Sequence, residues 1–421
     1  LLPLRAWADS ASIDVIDYRA DVRADVANAS VRGEVRIRFA SRSGGHPLLR
    51  FDRGELTIDA VFDGDTALAF DTPPGLVTAQ WPRPLRTGDI RTVRIRYRGT
   101  PRYGLQFNRA RNEAYTIFST SQWLVCIDRP SERATLDLTL LAKGVDTVVA
   151  NGRRLSVRTR ADGTVAHRWR LDRPTASFLY GFAIGPYRET RSTGGRPRLR
   201  HLSIDRPAQD LDRIFRDTRD IIAFFEERAG VRYPGRDYTQ VLVADTVGQE
   251  LAGLAFLSEE YGADVLEDPN RIGLIAHEAA HQWWGDLITC SDWGHFWLNE
   301  GFATFMAAAY TEHRQGPAAY DQLVANWHER VERLRRDGTD HSLVYAEWVR
   351  PSRDDRAVVY QKGALALNAL REELGEASFW KGIRDYTRTH SGKSVVSSDF
   401  RNAMERSSGR NLDSFFDAWM N

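Results

Sequence analysis

The sequence predicts an α+β chain of two domains, a mostly antiparallel β half followed by a mainly helical half. Three observations carry this expectation. The chain has 421 residues, too many for one compact core. Up to about residue 190, apolar and charged residues alternate with period two between Pro- and Gly-rich turns. Beyond a polar, Gly-rich break the apolar residues recur at helical spacing instead.

In the first half, Val35, Ile37 and Phe39 alternate with Glu34, Arg36 and Arg38, and Val93, Ile95 and Tyr97 alternate with Arg94 and Arg96. Each set reads as a strand with one wet face. Pro73-Pro74-Gly75 and Arg86-Thr87-Gly88-Asp89 read as turns, and residues 134–141 and 177–184 as further strands. The run Arg191-Ser192-Thr193-Gly194-Gly195-Arg196-Pro197 is the expected boundary, giving domains over 1–190 and 196–421. Past it, Leu211, Ile214, Phe215, Ile221, Ile222 and Phe225 hold helical spacing up to Gly230, which sits where a C-terminal cap belongs. A strand is expected near 240–244. Helices are expected near 300–314, 317–336, 357–374, 376–389 and 397–407.

Composition narrows the function classes. The chain is 42% hydrophobic and 27% charged, with a formal net charge of +1, so no bulk field draws it to nucleic acid or an acidic membrane. Four of the 58 basic residues are Lys, and the Arg bias reads as genome composition. No apolar run reaches the length of a membrane span. The two cysteines, Cys126 and Cys290, exclude a disulfide framework and read as two small buried thiols. The sequence shows neither an initiator Met nor the apolar core of a signal peptide, which leaves cytoplasmic and exported settings both open.

The chemistry concentrates in His277-Glu278-Ala279-Ala280-His281-Gln282-Trp283-Trp284-Gly285 and in Trp297-Leu298-Asn299-Glu300-Gly301-Phe302-Ala303. Residues four apart share a helix face, so His277 and His281 can meet on one ion while Glu278 serves as general base. A surface helix with two histidines is the plain alternative. Ile272, Leu274, Ile275, Ala276, Trp283 and Trp284 argue for a buried helix instead, and buried imidazoles and carboxylates need a partner. One Zn2+ per chain supplies it. Glu300 is the candidate third ligand, and a helix-start Glu favoured by the dipole is its alternative.

This pattern, H-E-x-x-H-x-W-x-G followed by W-L-N-E-G-F-A, resembles the gluzincin aminopeptidases, which include the neutral and alanyl aminopeptidases and leukotriene hydrolase. Nearly the whole chain fits the resemblance, from Asp17-Tyr18 and Gly33-Glu34-Val35 to Asn411-Leu412-Asp413-Ser414-Phe415-Phe416-Asp417-Ala418-Trp419. It implies a saddle-shaped β-domain, then a thermolysin-like catalytic domain, and no C-terminal helical domain of the kind larger relatives carry. It also implies a zinc metallopeptidase acting on peptides with a free N-terminus, with zinc on His277, His281 and Glu300 and Glu278 as base.

Three further sites follow from the same resemblance. Val359-Tyr360-Gln361-Lys362-Gly363 matches a Y-x-K-G setting, making Tyr360 the oxyanion donor. Val247-Gly248-Gln249-Glu250-Leu251 aligns with a G-x-M-E-N edge strand. That makes Gly248 part of the substrate strand and Glu250 the partner of the substrate amine, with Gln249 in place of Met and Leu251 in place of Asn. A rival register over Gly253-Leu254-Ala255-Phe256 loses the carboxylate. Gln122, ahead of Cys126-Ile127-Asp128-Arg129-Pro130, is implied as a second amine contact. Ala307 departs from the pattern where many relatives have Glu. His295 and Asp292 are not taken as ligands. Without Glu250 the same residues describe an endopeptidase or other zinc hydrolase, and without zinc a binding scaffold.

Overall fold

Val35 faces Ile95 and Ile37 faces Val93 across neighbouring antiparallel strands, and all four are fully buried. The alternation thus lays one apolar row against another, as a sheet with one wet face requires. In the computed structural model, which describes residues 12–45, 48–144, 146–192, 194–246, 248–345, 348 and 351–420, the chain divides into two compact units. One runs to Glu189 and the other starts at Thr190. Thr193 of the expected boundary and Val247 of the expected substrate strand lie outside the described residues.

The first unit is a β-structure. Its largest sheet has eight strands, in the order Arg153–Thr159, Val165–Ala176, Arg133–Ala142, Ile13–Asp25, Ser30–Ser41, Ile90–Gly99, Thr57–Asp63 and Thr66–Ala67. Neighbours in it are antiparallel except Ile13–Asp25 and Arg133–Ala142, which pair in parallel. Smaller sheets of four and three strands complete the unit among the described residues. The expected strand at 177–184 is divided. Ser177–Leu179 is a 3₁₀ turn and the strand is Phe182–Gly185. The turn is fixed by Ser177 Oγ donating to the Ile127 carbonyl at 2.8 Å, which draws that backbone out of the extended line.

The second unit opens on a five-stranded sheet. With its first edge strand Arg188–Arg191 it contains β1 (Arg198–Ser203), β2 (Asp237–Val243), β3 (Gly248–Leu251) and β4 (Leu254–Ser258). Spatially, β1 pairs with β2, β2 with β4, and β3 closes the far edge antiparallel to β4. Apart from a two-stranded parallel pairing of Thr289–Cys290 with Ser394–Val395, the rest of the regular structure is helical. The periodic stretch before Gly230 is two helices, Ala208–Ile214 and α1 (Thr218–Ala229), not one. Buried Thr218 donates its hydroxyl to Gln240 Oε1 at 2.8 Å and starts the second helix there. Gly230 caps α1 at φ 62°, a conformation that costs glycine little.

The helices that place the site are α2 (Gly273–Ala280), α3 (Trp297–Gln315) and α4 (Gly363–Leu374). Three tryptophans fix them to the core. Trp283 donates to the Val231 carbonyl at 2.8 Å, Trp284 to Thr387 Oγ1 at 3.1 Å and Trp297 to Ser397 Oγ at 2.8 Å. All three indoles are essentially inaccessible, so each combines a large buried surface with a satisfied N–H. No helix among the described residues is long and apolar enough to cross a membrane.

Candidate metal centre

His277 lies in the last turn of α2, and His281 caps that helix with helical dihedrals. The i to i+4 spacing therefore puts both rings on one face, and their Nε2 atoms stand 3.1 Å apart. Glu300, in the first turn of α3, sends Oε2 to 3.2 Å from His277 Nε2 and 3.4 Å from His281 Nε2. Ligand bonds of about 2.0–2.1 Å to a tetrahedral ion place donor atoms about 3.3 Å apart. The three donors match that edge. Glu300 Oε1 is buried with no hydrogen-bond partner among the described residues, a costly state that a cation at this point relieves.

The surroundings orient these donors. His281 Nδ1 lies 3.1 Å from the Trp284 carbonyl oxygen. That oxygen can only accept, so Nδ1 carries a hydrogen and Nε2 turns inward. Gly285 follows with φ 141°, and a Cβ there would stand 2.7 Å from His281 Nδ1. Only glycine leaves room for the ring.

The field inside favours positive charge. Burial opposes charge on His281, but Glu300 and Glu250 outweigh it and raise the ring above the ordinary imidazole range. Burial likewise opposes charge on Glu300, but His281 and the hydrogen bond from His277 hold the carboxyl below its ordinary range. Burial dominates at Glu278 and pushes that carboxyl up to about 8.

Two other candidates converge on the same point. Ligand atoms of Glu250, Glu278 and His281 all lie within 4.8 Å of one another. Glu250 sits on the edge strand β3, 3% exposed, and its Oε1 has no hydrogen-bond partner among the described residues. Gly248 of that strand is the position a Cβ would fill at 2.2 Å from Glu278 Oε1. Its bare backbone is what lets the Glu278 carboxylate lie against the strand. Gly253, the first glycine of the rival register, is a turn residue at φ +76° between β3 and β4.

Tyr360 stands on a π-helical turn, Val358–Lys362, that runs directly into α4. Such turns rotate a side chain off the regular helix face and recur at functional sites. Its ring is nearly parallel to that of His277, 8° between planes and 5.8 Å between centroids. Burial first, then Glu300, Glu250 and Glu278, raise its phenol well above the usual range. The phenol therefore keeps its hydrogen and can donate. Lys362 in the same turn is structural, donating to Asp340 Oδ1 and to the His341 carbonyl, each at 2.6 Å.

Gln122 belongs to the first unit. There its Nε2 donates to Tyr103 Oη at 3.0 Å and its Oε1 accepts from the Glu55 N–H at 3.3 Å. His295 pairs with Ser397 Oγ at 2.9 Å, and Asp292 caps the turn at Gly294. Ala307 is buried on α3 and offers no carboxylate. Both cysteines are free and buried.

Sequence reasoning passed over Asp286 and Gln282. Asp286 is fully buried and adds a further carboxylate to the field at Glu250 and Glu278. Gln282 accepts from the Gly253 N–H at 2.8 Å and donates to the Leu251 carbonyl at 3.1 Å. It pins the β3–β4 turn to the residue after His281. The signal for both was adjacency to the histidine motif.

Residues 214–419 match the model of the peptidase family M1 domain. That match lies wholly within the second unit, which thus resembles an M1 peptidase domain. Among curated relatives, aminopeptidase N of Lactococcus lactis subsp. lactis is 28% identical over 316 residues, 70% of this chain and 36% of the relative. Aminopeptidase N of Streptomyces lividans is 27% identical over 328 residues, 70% of this chain and 36% of the relative. The chain thus spans little more than a third of the length of these relatives. An M1 zinc metallopeptidase from Deinococcus radiodurans shares the fold, with TM-score 0.83 and 22% identity over 97% of this chain and 94% of its own. A structure of a mutant of that metallopeptidase holds a Tyr-Ser-Ala substrate.

Proposed function

We propose that this chain is a zinc-dependent aminopeptidase that removes the N-terminal residue from peptides. The observation that carries the reading is Glu250: a buried carboxylate with one oxygen unpaired, on a sheet edge, within 4.8 Å of donor atoms of Glu278 and His281. An edge strand can pair with a peptide backbone. An unpaired carboxylate oxygen at its end suits an ammonium group. Together they hold a peptide with its first residue at the cluster.

His277, His281 and Glu300 would hold the zinc. Bound there, zinc supplies a Lewis acid that polarises a carbonyl and lowers the pKa of water. Glu278 takes the proton of the attacking water and returns it to the leaving amine. The Tyr360 hydroxyl donates to the developing oxyanion of the scissile carbonyl. Glu250 accepts from the substrate ammonium.

The test compares free and N-acetylated aminoacyl chromogenic substrates, with and without a chelator. The free-amine substrates should turn over at least a hundredfold faster, roughly the worth of a charge-assisted contact in a dry site, and chelation should abolish both activities. Equal turnover of the two substrates would reject the amino requirement and leave an endopeptidase or other zinc hydrolase.

A further inference from the structure

Gln249 stands where the resembled pattern has Met, and its side chain is tied to Glu250. It is fully buried. Its Nε2 donates to Glu250 Oε2 at 2.9 Å and to the Glu250 backbone carbonyl at 2.8 Å. A primary amide has two hydrogens to give, and both of these contacts fall on Glu250. The other carboxylate oxygen, Oε1, has no hydrogen-bond partner among the described residues.

This division of the carboxylate has a physical consequence. The terminal torsion of a glutamate is broad and roughly two-fold, so an untied carboxylate turns freely. A hydrogen bond to a charged acceptor is strong enough to stop that rotation. The backbone bond fixes the amide itself, so the donor cannot follow a turning carboxylate. Gln282 then anchors the strand through the Leu251 carbonyl and the Gly253 N–H.

We propose that Gln249 is a positioning residue for recognition of the substrate amine. By holding Oε2 it presents one oxygen of Glu250, Oε1, to an ammonium group in a fixed direction. Met at this position has neither hydrogen to give. The inference rests on the aminopeptidase reading above and concerns binding, not the chemical step.

The experiment uses the zinc-loaded full chain and three proteins: wild type, Gln249→Met and Gln249→Glu. Met keeps the length and volume of Gln without its donors, and Glu keeps the shape but sets a like charge against Glu250. The readouts are kcat and KM for a free aminoacyl p-nitroanilide and its N-acetyl counterpart, the Kd of a free amino acid by calorimetry, zinc content and thermal midpoint. Gln249→Met should raise KM and Kd roughly tenfold, the effect of losing one hydrogen bond to a charged group. Its kcat should stay within about threefold and its zinc content should be unchanged. Gln249→Glu should weaken binding further, and reads the same prediction if the Met variant folds poorly. Unchanged KM and Kd, or a loss confined to kcat, overturns the inference while a wild-type preference for the free amine leaves the aminopeptidase reading intact. A wild type that turns over both substrates equally overturns both.

Discussion

Gly301 and Gly363 meet backbone to backbone: a Cβ on either would stand 3.0 Å from the Cα of the other. Gly301 follows Glu300 on α3, and Gly363 follows the π turn that carries Tyr360. One close contact therefore sets the spacing between the third ligand candidate and the proposed oxyanion donor. Gly363→Ala should cost about 1–3 kcal/mol of stability, the usual effect of overpacking a filled interface. Its kcat should fall further than that stability loss explains, because α3 and the π turn part. Thermal unfolding and steady-state kinetics on the same preparation check this. A variant with a lowered midpoint and native kcat would show that the contact is structural alone.

Tyr360→Phe removes a donor and little else. The ring still lies parallel to His277, so folding and metal content should be unaffected. The expected loss is about 10²–10³ in kcat, the usual cost of one oxyanion donor, with KM changed little. Kinetics on the zinc-loaded variant, with zinc measured directly, decide it.

Glu278→Gln keeps shape and hydrogen-bonding reach but cannot take a proton. Its zinc content should match wild type, and kcat should fall by about 10²–10⁴. Full activity in a zinc-replete variant would sink the proposed mechanism.

Much of the fold was legible because it is written locally. Period-two alternation at Val35, Ile37 and Phe39 needs only neighbours to be read, and so does the helical spacing that gives Trp297–Gln315. Three features were not local. The parallel pairing of Ile13–Asp25 with Arg133–Ala142 joins segments more than a hundred residues apart. The break between Ala208–Ile214 and Thr218–Ala229 depends on a hydroxyl reaching Gln240 on another strand. The 3₁₀ turn at Ser177 depends on the Ile127 carbonyl. At the site, the convergence of His277 and His281 on one face was readable from the spacing of the histidine motif, whereas the reasons for its glycines were not. Gly285, Gly248, Gly301 and Gly363 each make room for something distant in sequence or outside their own element, and only coordinates show what.

Metal removal should cost stability as well as activity. Buried Glu300 Oε1 and Glu278 Oε2 have no hydrogen-bond partner among the described residues, so a cation held there by the folded chain and not by the unfolded one should stabilise the fold. At free zinc a hundredfold above its Kd, linkage gives about 2.7 kcal/mol. Chelator should lower the thermal midpoint, and restored zinc should raise it in a concentration-dependent way. A midpoint indifferent to both would mean that the cluster does not bind zinc tightly.

His201 gives the second unit an acid sensitivity separate from the site. It lies on β1, stacked on Phe215 with centroids 4.7 Å apart, and neither ring nitrogen has a hydrogen-bond partner among the described residues. Burial, then Arg219, lower its pKa to about 4, against about 6.5 when unfolded. Between those values the unfolded chain binds a proton that the folded chain refuses, so stability rises with pH across that window and falls with acid. Above about pH 6.5 both states are neutral and the contribution is flat. The span of about 2.5 pH units corresponds to about 3 kcal/mol lost by pH 4. His201→Leu should be as stable as wild type or more so at pH 7, since it removes a buried polar ring without partners. It should retain more of that stability at pH 4.5. Denaturant unfolding of both proteins at the two pH values, in chelator so that metal release contributes nothing, isolates the residue. Parallel losses in the two proteins would show that His201 is not the sensitive group.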